Sequence, residues 1–156
     1  MSSSYYYTGS NAVAISCGRE HIAVLLNTGE VMACGSNQYG QLGDGTNIDR
    51  STLVSMHEIS PYDKTNAGAF SCGQHHTAIL LNTGEVMTCG RNQNKQLGDN
   101  TNTDRSTLVS MRTTYPSSYI GSNAVAISCG GDHTAVLLDK GDGDKEKISH
   151  DQFSVT

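Results

Sequence analysis

No run of lysine or arginine occurs in this chain, and ten Lys plus Arg against fifteen Asp plus Glu leave a formal net charge of −5. A general nucleic-acid binder needs a basic face to neutralise phosphates, so that class is not expected. The most basic-looking stretch, Lys140 to Lys147, is diluted by Asp142, Asp144 and Glu146. No segment reaches the roughly 18 apolar residues of a membrane-spanning helix, so no membrane association is expected. The N-terminus, Met1 to Tyr7, has neither a positive region nor an apolar one and does not read as a signal peptide. Asn-x-Ser/Thr sequons are also missing. Together these absences fit an intracellular protein, cytoplasmic or nuclear. Tryptophan is absent, and no segment sustains a 3.6-residue apolar period, so helix content should be low.

What the chain does have is glycine, 17 of them, among many Thr, Ser and Asn. That composition suits short strands joined by tight turns. It also has an internal repeat. Residues 15–56 and 70–111 align without a gap and are identical at 31 of 42 positions. A third copy starts at Ile127 as ISCGGDHTAVLL and then leaves the pattern. Cys17 and Cys72 lie 55 residues apart, and Cys72 and Cys129 lie 57 apart. A period of this size indicates a propeller blade or another stacked unit.

Within one copy the pattern predicts strands at Ala12–Cys17, Ile22–Leu26, Glu30–Cys34 and Thr52–Met56. Thr28-Gly29 supplies a hairpin turn, and 37–47 is a polar, Gly-rich loop with Leu42 expected beneath the next blade. Four short antiparallel strands per unit make a blade, so the fold class is all-β, a β-propeller or part of one. The repeats are placed at 12–56, 67–111 and, incomplete, 124–138, between a lead-in at 1–11 and a divergent polar tail at 139–156.

Recurrent residues are assigned to repeated packing geometry. In the first copy they are Gly18, His21, Gly29, Gly35, Asn37, Gln41, Leu42 and Gly43. The second repeats them as Gly73, His76, Gly84, Gly90, Asn92, Gln96, Leu97 and Gly98, and the third keeps Gly130 and His133. This order of Cys-Gly-x-x-His, Thr-Gly-Glu-Val and Cys-Gly-x-Asn-x-x-x-Gln-Leu-Gly resembles the regulator-of-chromosome-condensation repeat over roughly residues 12 to 138. The resemblance implies a seven-bladed propeller, for which this chain is short. It is therefore expected to be a fragment, a truncated gene model, or a protomer closing a ring with other copies. The family includes a guanine-nucleotide exchange factor for a small nuclear GTPase that docks on nucleosomes. It also includes scaffolds, parts of ubiquitin ligases and β-lactamase inhibitors. Exchange activity in that family uses an inserted wedge, and the gapless alignment of the two full copies shows none.

Each copy carries residues with candidate chemistry. Cys17/His21, Cys72/His76 and Cys129/His133 share a Cys-x-x-x-His spacing that zinc can use, with Cys34 and Cys89 as further donors. Each copy offers only three such ligands, so no metal or other cofactor is expected. A Cys–His nucleophile is disfavoured because all three pairs look alike, whereas an active site occurs once. A Cys17–Cys34 disulfide is conceivable at matching strand ends, but five Cys leave one over, and buried thiols are the simpler reading. The tail at Asp142–Glu146 suggests calcium, yet Lys147 and Phe153 occupy the positions where a calcium loop needs Gly and Glu.

The remaining signal lies where the copies differ within equivalent loops. Arg19 and Glu20 become Gln74 and His75, then Gly131 and Asp132. Ser36 becomes Arg91, and Tyr39 and Gly40 become Asn94 and Lys95. These positions fall on the rims of a propeller, where exposed Arg and Tyr anchor partners. The expectation is a non-catalytic scaffold that binds a protein through its loops. Nucleotide exchange on a small GTPase and a self-assembling blade unit are the alternatives.

Overall fold

A computed structural model describes residues 7–112 and 121–139. Ten strands follow one another, and no helix occurs among the described residues. The first sheet runs in sequence order through β1 (Ala12–Cys17), β2 (His21–Leu26), β3 (Val31–Gly35) and β4 (Arg50–Ser55). The second repeats it with β5 (Ala67–Cys72), β6 (His76–Leu81), β7 (Val86–Gly90) and β8 (Arg105–Ser110). β9 (Ala124–Cys129) and β10 (Thr134–Leu138) begin a third. All pairings are antiparallel, and each first strand breaks register at the same place, between Ala12 and Ala14 and between Ala67 and Ala69. The lead-in before Tyr7 and the tail beyond Asp139 lie outside the described residues, including the calcium candidate around Lys147.

The fourth strand starts two residues before the sequence reading placed it. Arg50 pairs with Gly35 across the ladder, and its guanidinium is held at 2.7 Å by Asp44 from the preceding loop. The loop thus delivers Arg50 into the sheet already aligned. A Cys17–Cys34 disulfide is excluded by topology. β2 runs between the two, since Ile22 pairs with both Cys17 and Cys34. Two strand spacings are about 9–10 Å, beyond the roughly 7 Å a disulfide tolerates. All five cysteines are free thiols.

The apolar core lies between blades. One cluster joins Ala23, Leu25, Val31, Ala33 and Leu42 of the first blade to Ile79, Leu81, Met87, Cys89 and Leu108 of the second. A smaller one joins Leu80, Val86 and Met111 to Ala124, Val136 and Leu138. Alternation along β6 explains this division. Ile79 and Leu81 face back, while Leu80 faces forward, so a central strand buries both faces. On the first blade, whose outer face meets no other described sheet, the same positions stay open. Ile15, the counterpart of Phe70 and Ile127, is 66% exposed.

Polar bonds cross the same seams. His21 Nε2 lies 3.0 Å from Thr77 Oγ1, and the Thr77 hydroxyl donates to the Gln41 carbonyl at 2.8 Å. The next seam repeats this through His76, Thr134 and Gln96 at 3.0 and 2.8 Å. Threonine has one proton and gives it to the carbonyl, so each imidazole donates through Nε2–H. Burial pushes both rings down to about 4, which favours the neutral form at neutral pH. Gly18, Gly73 and Gly130 each lie against the ring of their own blade's histidine. Gly29 and Gly84 form the β2–β3 and β6–β7 turns, and Gly43 and Gly98 close the long loops over Met56 and Met111.

Gly35 carries a sharp requirement. Its φ is +112°, and an added Cβ would sit 2.4 Å from the Glu20 carbonyl oxygen and 2.7 Å from His21 Cα. Both obstacles are backbone. Gly35→Ala is expected to cost about 3 kcal/mol, read as a drop in the urea midpoint. Gly45→Asn should change stability by less than about 0.5 kcal/mol. A Cβ at Gly45 would meet only Thr107 Cγ2 at 3.9 Å, an ordinary contact, and Asn100 already adopts φ +65° at the equivalent position.

Candidate functional site

Antiparallel order places the loop after each first strand and the loop after each third strand at one end of the blade. Arg19, Glu20, Ser36 and Tyr39 therefore share a rim with Gln74, His75, Arg91, Asn94, Lys95 and Asp132. The rim is continuous across blades. The Arg19 N–H donates to the Gln74 carbonyl at 3.2 Å, and the Gln74 N–H donates to the Gly131 carbonyl at 3.1 Å.

Four of these side chains meet, drawn from three blades. The Tyr39 and His75 rings are 5.1 Å apart and tilted at 59°. The Arg91 guanidinium stands 5.6 Å from the centre of the Tyr39 ring, within reach of a cation–π attraction. Arg91 Nη1 lies 3.6 Å from Asp132, and its Nη2 donates to Gln93 at 3.0 Å. Burial lowers the His75 pKa, reinforced by Arg19 and Arg91 against the opposing pull of Glu20 and Asp132. Beside this cluster an open depression of about 470 Å³ is lined by Gln93, Asn94, Lys95, Asp132 and His133.

Other residues of the loops face inward. Ser36 accepts a 3.4 Å bond from Gln41, whose buried side chain also accepts the Tyr39 N–H. Gln96 plays the second part for Asn94 and also donates to Asp132 at 3.4 Å. Asn37 and Asn92 are fully buried hubs of their loops, and Leu42 and Leu97 are fully buried. His133 is exposed, unlike His21 and His76. It serves as a wall of the depression. Comparison of the copies missed Gln93, because its counterpart Gln38 is identical and so reads as scaffold. Not every difference between copies is a surface choice, either. Gly40 has φ +83°, and a Cβ there would lie 2.4 Å from Ser106 Cα of the second blade, whereas Lys95, with φ +62°, is exposed.

Histidines and thiols of the Cys-x-x-x-His motifs bond to groups in neighbouring blades. His21 and His76 bond to threonines of the next blade, and the Cys72 and Cys129 thiols point to the Ser16 and Ser71 carbonyls at 3.6 and 3.4 Å. Burial pushes Cys72 up to about 12 and Cys129 up to about 11, so both stay protonated. A protonated thiol is a poor nucleophile.

Blades of four antiparallel strands stacked through repeating seams define a β-propeller array. The chain belongs to the regulator of chromosome condensation (RCC1) repeat family, whose profile matches residues 28–80 and 83–137. A second profile of the same repeat matches 12–41 and 69–96. Over 135 residues the chain is 33% identical to the "X-linked retinitis pigmentosa GTPase regulator homolog" of Caenorhabditis elegans, covering 86% of this chain and 9% of that protein. It is 35% identical to the human "Probable E3 ubiquitin-protein ligase HERC4", covering 83% of this chain and 12% of that one. The chain thus spans about a tenth of the length of these relatives. Among solved structures, human WBSCR16 superposes with a TM-score of 0.68 at 24% identity, over 83% of this chain and 32% of that one.

Proposed function

We propose that this chain is a non-catalytic protein-binding module that engages its partner through the rim carrying Tyr39, His75, Arg91 and Asp132. The observation behind this reading is the convergence of these side chains from three blades on one surface, at positions where the copies differ. Residues common to the copies hold the blades and seams. Those on the rim are relieved of that duty. Tyrosine and arginine are also the side chains that dominate binding energy at protein interfaces.

Affinity capture with Arg91→Glu tests this. The substituted chain should lose a specific partner by about tenfold or more, with its circular dichroism unchanged. Glu30→Lys, on the opposite rim, should retain it. Equal retention by both variants would remove the rim from the interface. Regulation of a small GTPase is a second reading, favoured by the name of the nematode relative. Its test is release of labelled nucleotide from a small GTPase, where a flat rate at high concentration of this chain would exclude it.

A further inference from the structure

The chain is acidic overall at −5, yet Arg19, Arg91 and Lys95 gather on this one rim. Arg50 and Arg105 are committed elsewhere, to Asp44 at 2.7 Å and Asp99 at 2.9 Å. Arg91 is held more loosely. Its nearest carboxylate, Asp132, is 3.6 Å away, longer than a charge-assisted hydrogen bond. Its Nε is buried and has no hydrogen-bond partner. The neighbouring His75 is 6% exposed, and its Nδ1 is likewise buried without a partner. Buried polar atoms in native proteins are almost always satisfied, so two unsatisfied nitrogens beside one ring point to a missing ligand group. His21 and His76 also leave Nδ1 unpaired, but theirs abut Gly18 and Gly73 within the seams. His75 is instead on the rim, where the other copies have Glu20 and Asp132.

We propose that the rim binds a carboxylate side chain of an acidic peptide segment, seated between Arg91 and His75 with Lys95 beside it. The proposal rests on the protein-binding reading above and narrows it to one class of partner. One carboxylate oxygen accepts the Arg91 Nε–H, and the other accepts a proton held at His75 Nδ1. Tyr39 packs on both groups, and its hydroxyl makes no hydrogen bond among the described residues, so its ring turns aside to admit the ligand. Glu20 and Asp132 face the same space. They oppose a long polyanion, which favours a short acidic peptide over a nucleic acid.

The test is fluorescence anisotropy of the full chain with fluorescein-labelled octaglutamate at about 50 mM salt, where surface charges act over a long range. Octalysine and an oligothymidine of the same length are the comparators. Octaglutamate should bind tightest and weaken with added salt. Arg91→Gln should weaken it about tenfold, and Arg91→Lys at least about threefold, because lysine keeps the charge and loses the planar fork. Lys64→Gln, outside the rim, should stay within about twofold. Tighter binding of oligothymidine, no binding of octaglutamate, or an equal response to Lys64→Gln would overturn the proposal. If octaglutamate fails while a captured protein still requires Arg91, the acidic class falls and the rim reading stands. If octaglutamate requires Arg91 and no captured protein does, the rim reading falls instead.

Discussion

Asn37→Ala is expected to destabilise the first blade by about 3–5 kcal/mol, as Asn92→Ala should the second. The side chain is fully buried and has no slack. The two protons of its Nδ2 are shared among Asp44 at 3.0 Å, the Thr46 carbonyl at 3.0 Å and the Ile48 carbonyl at 3.1 Å. Its Oδ1 accepts the Leu42 N–H at 3.0 Å. Alanine strands all of these groups in a loop that also delivers Leu42 to the core and Arg50 to the sheet. Burial pushes the Asp44 carboxyl up. Bonds from Thr46, Arg50 and Asn37 outweigh that and hold it below the usual range. Asn37→Asp restores the acceptor for Leu42 and sets a second carboxylate against Asp44, so it should be no more stable than the alanine variant. Urea unfolding measures both, and hydrogen exchange at the Leu42 amide reports the loop itself. A midpoint unchanged in Asn37→Ala would mean the loop is held by Asp44 and Arg50 alone.

Acidification should loosen the seams well before it protonates these carboxylates. His21 and His76 are neutral in the fold, with burial first among the causes that push them down to about 4. In the unfolded chain they return to about 6.5. Between those values the unfolded chain takes up more protons than the folded one, so stability is full above about pH 6.5 and falls as the pH drops toward 4. Each histidine contributes about 3 kcal/mol to that loss by order of magnitude. His75, also lowered, adds in the same sense. Urea midpoints compared at pH 7.5 and 4.5 test this, and His76→Gln should remove roughly half of the difference. A flat profile would mean that the imidazoles are charged in the fold, against the burial that disfavours their protonated form.

Much of this architecture was readable from the repeat. Self-similarity gave the blade, short apolar runs between turn residues gave the strands, and Cys17 to Cys72 gave the period. The start of the fourth strand was misjudged because Arg50 reads as loop chemistry, and its place in the ladder depends on Asp44, six residues away. The seam bonds were not legible. His21 and His76 were visible as repeated, but their partners are one blade on, and Ile22 interrupts the threonine pattern formed by Thr77 and Thr134. For the rim, differences between copies singled out Tyr39, His75, Arg91 and Asp132, and the structure stacks them. The same comparison passed over Gln93, which is shared, and treated Gly40 as free when the backbone of Ser106 dictates it.

The two kinds of contact described above join residues at very different distances along the chain. Within a blade, a strand meets its neighbour after a short turn, as His21 meets Gly35. Across a seam, His21 reaches Thr77 over 56 residues and His76 reaches Thr134 over 58. Short loops close quickly and long ones slowly, so each sheet forms as a separate local event and docking follows. Among the described residues the second sheet packs on a neighbour at each face, so opening either seam exposes part of its core.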